Sequence, residues 1–418
     1  MNRNIQRLLI GLWILVFCLL IRVIARYCLE SGETAVQDNK RNQLVIMAVC
    51  EEDESRKCLK ELVDGYSRIQ GNPEVKIRYV SQSGFQKQLC LDKDQNTLPD
   101  LIICGNVMTS ALESMGILRD LSDYMTADRI PLYLKNAYNS TVVNGICYAV
   151  PFTDNPYVVF YNEDYLEKYG TSIPENMEDF YRLCREINTV TPYNLGIAMK
   201  NKEEITSVFL QLIYSAGGTL RNPNSENCMR IYEMLGNMRN ERIISQDVIN
   251  WNRKDLMKAF SKGYVKIAIA ELSAMSILEN SDKKMRYRIS EIPYIRKQTY
   301  LLQGNNIGVT VTANREESVK FLDYLTSGEV IKKYCENTFC LSVRTDVTVN
   351  PGRKKGLTDG FVERERNQNI LRNVYATWFI ISDGIAGNLT EFFGDKTMSP
   401  EEVAEKISVD TRNAIMER

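Results

Sequence analysis

Three short apolar runs, separated by two stretches of helical period, constrain this chain more than any other feature. LVIMAVC at 44–50 reads as a buried strand, and residues 54–69 follow with Cys58, Leu59, Leu62, Val63 and Tyr66 at the spacing of one helical face. Val75, Ile77 and Tyr79 alternate with Lys76 and Arg78, which predicts a second strand; a helix around 83–91 leads through Pro99-Asp100 into a third, LIIC. Strand and helix in this alternation predict an α/β fold with a parallel sheet and helical crossovers. Ligands of such sheets lie beyond the carboxyl ends of the strands. Glu51 and Glu52 after the first strand and Asn106 after the third are therefore candidate site residues, against the plainer reading of a solvated acidic turn.

The later chain repeats the logic. A helix is predicted over 174–187, a strand at Leu195–Met199, and a helix over 207–218 ended by glycine. VKIAIAE at 265–271 and NNIGVTVT at 305–312 read as strands, and EESVKFLDYLTS at 316–327 as an amphipathic helix. Ser399, Pro400 and Glu402 form a helix-start signature. No internal repeat is evident.

Composition removes several classes of function. With 52 basic against 53 acidic residues there is no electrostatic case for nucleic acid, and RKK at 353–355 fits a solvated loop. The chain has no histidine, which excludes Ser-His-Asp, Cys-His and HExxH chemistry. Neither a phosphate-cradling Gly-rich loop ending in GK[ST] nor GxSxG is present, no cofactor is implied, and the eleven cysteines form no CxxC pair that would suggest a metal. Most cysteines sit in apolar runs, as buried free thiols do; Cys50–Cys58 and Cys335–Cys340 are close enough to pair. At the N-terminus, Arg3 and Arg7 precede fourteen apolar residues at 8–21, a length between that of a signal-peptide core and a spanning helix. Residues 1–29 are thus a cleaved signal or a retained anchor, 30–42 a polar tether, and the remainder an exported protein.

PFTDNPYVVFYNEDYLEKYG, at 151–170, changes abruptly from proline and polar turn to apolar run to acidic and aromatic residues. Pro151, Phe152, Thr153, Val158, Val159, Phe160, Tyr161, Asn162, Leu166 and Lys168 satisfy the signature of the family 1 extracellular solute-binding proteins, the receptors of bacterial carbohydrate ABC importers. LPDLIIC, MGILRDLSDYM, AFSKGYVKIAIAELS, FLDYLTSGEVIKKYCENTFCLSVRTDV and YATWFIISDGIAGNLTEFFGDKTMSPEEVAEKI resemble further family segments in order, with Ser342 in place of a proline.

The resemblance implies a two-lobed, type II-like periplasmic-binding-protein fold, hinged between lobes. The N-terminal lobe is expected at 43–152 and 265–313 and the C-terminal lobe at 153–264 and 314–418, with crossings near 151–155, 262–265 and 312–315. It implies a small solute, a sugar or oligosaccharide, bound between the lobes and passed to ABC permease subunits, with no catalytic residues. Asn155 and Tyr157 at the first crossing, Trp251, Trp378 as a stacking residue and Asn305 at a glycine-led strand entry join Glu51, Glu52 and Asn106 as ligand-binding candidates. Core packing beside Phe379 is the other reading of Trp378. Where the family places a Gly-x-Trp platform after VKIAIAE, this chain has Glu271-Leu272-Ser273. That departure implies a smaller or more polar ligand or weaker binding, with Glu271 facing a cation or amine or else capping a helix. Two rivals remain: a membrane-anchored sensor module that signals occupancy to a partner, told apart by an adjacent histidine kinase gene in place of permease genes, and an exported glycosidase, for which no two carboxylates pair convincingly.

Overall fold

Every residue of the run Tyr157–Asn162 is buried, and its place in a sheet explains why. In the computed structural model this strand lies between Tyr287–Glu291 and Ile267–Glu271, antiparallel to both, with Val158 opposite Ala270 and Phe160 opposite Ala268. Successive side chains of a strand point to opposite faces. Tyr157, Val159 and Tyr161 enter one apolar cluster, while Val158 and Phe160 enter another on the far face. With both faces covered, no polar alternation survives in the sequence. Leu195–Ile197, parallel to Ile267–Glu271, completes a four-stranded sheet. Asn162 ends the central strand and caps the helix Glu163–Tyr169, its Oδ1 accepting from the Asp164 N–H at 3.1 Å. The Tyr-Asn pair of the signature is therefore a buried strand end and a helix cap.

A five-stranded sheet carries the strand–helix pattern of 44–104. Its order is Glu74–Val80, Gln43–Val49, Leu101–Gly105, Asn305–Val309 and Ala149–Pro151. Gln43–Val49 and Leu101–Gly105 run parallel, with Ile46 opposite Leu101, and Asn305–Val309 runs antiparallel to its neighbours. The helix Asp53–Ser67 has Asp53 and Glu54 in its first turn, where the helix dipole favours acids, and buries Cys58, Leu59, Leu62, Val63 and Tyr66. Those side chains pack with Phe321, Leu322 and Ile331 of the helices Arg315–Leu325 and Gly328–Thr338.

The chain passes between the sheets at places that differ in part from expectation. Pro151 ends the last strand of the first stretch and Tyr157 begins the second sheet, with Thr153–Asp154 between them. The strand Ile267–Glu271, expected in the N-terminal lobe, instead sits inside the second sheet. An apolar run announces a buried strand but not its partners. The return to the first sheet falls between Glu291 and Asn305, not at 262–265. The helices at 315–338, expected beyond a crossing at 312–315, pack on the first sheet, and the chain leaves it through Leu341–Ser342. That strand pairs antiparallel with Thr153–Asp154, so two crossings lie side by side; the third is tied to them where the Gln303 N–H donates to Asp154 Oδ1 at 3.0 Å. Gly304, beside Gln303, has φ of 97°, and a Cβ there would stand 2.2 Å from the Thr153 carbonyl oxygen. Only glycine lets these crossings approach so closely.

The structure describes residues 43–170, 172–189, 192–281, 285–372 and 375–416. The expected signal or anchor at 1–29 and the tether at 30–42 lie outside the described residues. Among the described residues no helix is long and apolar enough to cross a membrane. Cys50, Cys58, Cys335 and Cys340 are buried free thiols, and of the described cysteines only Cys90 is exposed.

Candidate functional site

The two sheets deliver acidic and amide side chains to a common cleft. Gln43–Val49 ends at Cys50-Glu51-Glu52, and Leu101–Gly105 ends opposite Asn305. In the second sheet, Glu271 at the carboxyl end of Ile267–Glu271 lies opposite Tyr157. These ends border an inner chamber of about 120 Å³, which is also lined by Asn155, Glu203, Glu204, Ser207, Arg253 and Arg372. An outer vestibule of about 320 Å³ adds Arg56, Lys200, Asn252 and Lys254, and shares Glu51, Glu52, Asn201 and Arg253 with the chamber. Small-molecule sites span about 300–1,000 Å³. The chamber alone is too small, while chamber and vestibule together reach that range.

Arg253 stands at the junction of the two. It opens the helix Arg253–Ser261, which begins with a reciprocal capping box between Asn252 and Asp255. Its guanidinium pairs with Glu204 at 2.7 Å, with Glu271 at 2.8 Å, and with Glu52 from the first-sheet side. Glu204 is set in place by the first turn of the helix Lys202–Ser215, capped by Asn201. Asn155 donates through Nδ2 to Glu271 at 2.6 Å and to Ser273 Oγ at 2.9 Å, and its Oδ1 accepts from the Ser273 N–H at 3.0 Å. A second guanidinium, Arg372, pairs with Glu203 at 2.9 Å and donates to Gln303 Oε1 at 2.8 Å.

Burial sets the protonation of this ring. It pushes Glu204 up to about 8; Arg253 opposes the rise, while Glu271, Glu52 and Glu51 add to it. Burial likewise raises Glu271 to about 7, again against the pull of Arg253. Arg253 itself stays charged: burial works against its cation, but Glu204, Glu271 and Glu52 outweigh that and hold it well above its usual range. Among the described residues no group of three or more Cys, Asp or Glu is arranged to hold a metal ion.

The profile of the bacterial extracellular solute-binding proteins matches residues 53–331, about two thirds of the chain. The chain belongs to that family. It is 22% identical over 332 residues to the multiple sugar-binding protein of Streptococcus mutans, covering 72% of this chain and 76% of that one. Among solved structures, maltose-bound MalE3 of T. maritima superposes with a TM-score of 0.77 at 17% identity, over 89% of this chain and 99% of that one. The GacH receptor of Streptomyces glaucescens, solved unliganded and with acarbose, also gives 0.77, at 18% identity over 90% of this chain and 98% of its own. The architecture is the two-lobed fold of these receptors.

In this solute-binding protein, Glu51, Glu52, Asn155, Tyr157, Glu271 and Asn305 line the inner chamber together. Three other candidates do not. Asn106 is buried beneath it, donating to the Leu302 carbonyl at 3.4 Å. Trp251 packs, half-buried, against the apolar clusters on both faces of the second sheet. Trp378 is fully buried, with its Nε1–H donating to Glu203 Oε2 at 2.9 Å and Arg372 5.2 Å from its ring centre. Its place is the core: it holds Glu203, which lines the chamber, and offers no face to a ligand. Glu271 pairs with Arg253 of the chain itself, and it precedes the short helix Leu272–Ala274 without a side-chain capping bond. Arg253, Glu203, Glu204, Gln303 and Arg372 went unnoticed in the sequence. The one local signal was the NWNRKD capping motif, which places an arginine at a helix start without saying what it faces.

Proposed function

We propose that the protein captures a small hydroxylated solute, a carbohydrate, between its lobes and delivers it to an ABC importer at the outer face of the cell membrane, where the N-terminal segment holds it. It acts by binding and leaves the solute chemically unchanged. The observation that carries this reading is the cleft itself. Its walls come from both sheets, its neutral polar groups (Asn155, Ser273, Asn305) suit hydroxyls, and the Arg253–Glu52 contact joins the two sides. Family membership and a relative named as sugar-binding support the same class of solute.

A thermal-shift survey of the full chain against monosaccharides, oligosaccharides and polyols tests it. A ligand that binds only the native state raises the midpoint, with about 2.7 kcal/mol of stabilisation at a hundredfold excess over Kd. A response confined to peptides or inorganic ions overturns the carbohydrate reading. Cell fractionation with and without residues 1–29 tests the anchor, which predicts loss of the membrane-bound form on deletion.

A further inference from the structure

Resting on that reading, and deepening it, we infer that Gln303 binds the solute, its side-chain Nε2 donating to a hydroxyl oxygen of the carbohydrate. Gln303 lines the inner chamber and is 3% exposed, and its Nε2 has no partner among the described residues. A buried donor left without an acceptor costs about 1–3 kcal/mol. The neighbour fixes which way the amide faces. Arg372 Nη2 donates to Gln303 Oε1 at 2.8 Å. A guanidinium carries donors alone, so the amide oxygen must face Arg372 and the NH2 group must turn away from it.

Arg372 is itself held in place. Its Nη1 reaches Glu203 Oε1 and Ser207 Oγ, each at 2.9 Å, and Glu203 Oε2 accepts from Trp378 Nε1 and Ser382 Oγ at the same distance. The core tryptophan thus fixes the amide through Glu203 and Arg372. The backbone of Gln303 is also set, its N–H donating to Asp154 Oδ1 at the crossing. Among the described side chains that line the chamber, the buried polar atoms left without a partner are Gln303 Nε2 and Arg372 Nε, and both are donors. What completes this wall is therefore an acceptor. Charge does not make that acceptor an ion, since the five glutamates of chamber and vestibule are matched by five Arg and Lys. A hydroxyl fits where an ether oxygen fits less well, because it accepts from Nε2 and can donate its own proton to a carboxylate of the chamber.

The test is calorimetric titration of the full chain and of Gln303→Glu with glucose, galactose, maltose and raffinose, then with the monodeoxy derivatives of the tightest binder. Gln303→Glu keeps an oxygen for Arg372 and loses the NH2 group. Expected is an unliganded thermal midpoint no lower than that of the unmodified chain, because the lost donor has no partner there. The Kd should rise about tenfold or more, equivalent to about 1.4 kcal/mol. One monodeoxy derivative should lose a similar factor against the unmodified chain and little further against Gln303→Glu, the coupling that a direct contact produces. An unchanged Kd in Gln303→Glu overturns the inference and leaves the carbohydrate receptor standing. So does a weakened Kd to which every deoxygenation simply adds, since Gln303 would then act on the fold and not on a hydroxyl. Silence of the unmodified chain toward all four sugars removes the carbohydrate receptor itself, and this role with it. Should Gln303→Glu not fold, Gln303→Met, which also lacks the donor, takes its place in the same cycle.

Discussion

Replacing Arg253 by methionine removes a charge while keeping a similar apolar stem. Arg253 is 12% exposed, and its partners Glu204, Glu271 and Glu52 are 7%, 19% and 15% exposed. Withdrawing the cation leaves three carboxylates facing one another in a largely dry site. Breaking a buried pair from one side costs about 3–5 kcal/mol. Unfolding entropy of about 2.1 cal/mol/K per residue gives a chain of 418 residues about 0.9 kcal/mol/K, so the midpoint should fall by about 3–6 °C. The loss should depend on pH in a definite sense. Without Arg253, Glu204 and Glu271 rise further above the usual carboxylate range, so near pH 5 they are neutral and the cost shrinks. Near pH 8 the unfolded chain carries both carboxyls ionised while the folded variant must still hold their protons, and the cost is full. Differential scanning calorimetry of Arg253→Met and the unmodified protein at pH 5 and pH 8 measures this difference. A deficit equal at both pH values would refute the reasoning, because it would assign Arg253 to packing and not to the neutralisation of carboxylates. Arg253→Met combined with Glu204→Gln should recover part of the loss at pH 8.

The hinge carries a second titration. Asp154, which ties the crossings, and Glu365 are both buried; burial raises Asp154 to about 7, and burial together with Asp154 raises Glu365 well above its ordinary value. Groups raised by folding contribute most below their unfolded values near 4 and lose that contribution as pH climbs through 7, so the midpoint should decline over this window, and more shallowly in Glu365→Gln. Trp378→Phe deletes the indole N–H that serves Glu203 and should cost about 1–3 kcal/mol in chemical denaturation of the unliganded protein; an unchanged stability with weakened sugar binding would return Trp378 to the cleft. Gly304→Ala forces a Cβ toward the Thr153 carbonyl at positive φ and should destabilise by at least about 1–3 kcal/mol, measured the same way.

What was legible in the sequence is what local chemistry encodes. The face Cys58, Leu59, Leu62, Val63 and Tyr66 is buried as its spacing requires, and Glu402 and Ser399 exchange the two bonds of the expected capping box, at 2.8 and 3.2 Å. Strand partnership is not local. VKIAIAE has the composition of a central strand, but nothing in it separates pairing with Leu101–Gly105 from pairing with Tyr157–Asn162, and so the lobe boundary was misplaced. The same distinction divides the site. Glu51, Glu52 and Glu271 follow strands directly and were found from that position. Glu204, Arg253, Gln303 and Arg372 sit in polar stretches like many others, and only the meeting of segments as much as 201 residues apart, as in the contact between Arg253 and Glu52, gives them a role.

The layout also explains why a stacking tryptophan can be absent while the cleft remains ordered. Where the family resemblance led to Trp, Ser273 leaves room for Asn155, whose amide is fixed at both ends by Ser273 and Glu271. Asn155 directly follows Asp154, the residue that joins the crossings, so the site and the hinge share one short backbone segment. Closure that brings Glu52 to Arg253 therefore acts on carboxylates whose second-sheet members, Glu271 and Glu204, are already aligned by Asn155 and by the capped helix Lys202–Ser215. On this arrangement the first sheet contributes the moving charge and the second the preorganised cradle. Charge changes at Glu52 should then alter the balance between open and closed forms, whereas changes at Glu271 should alter which solute is held.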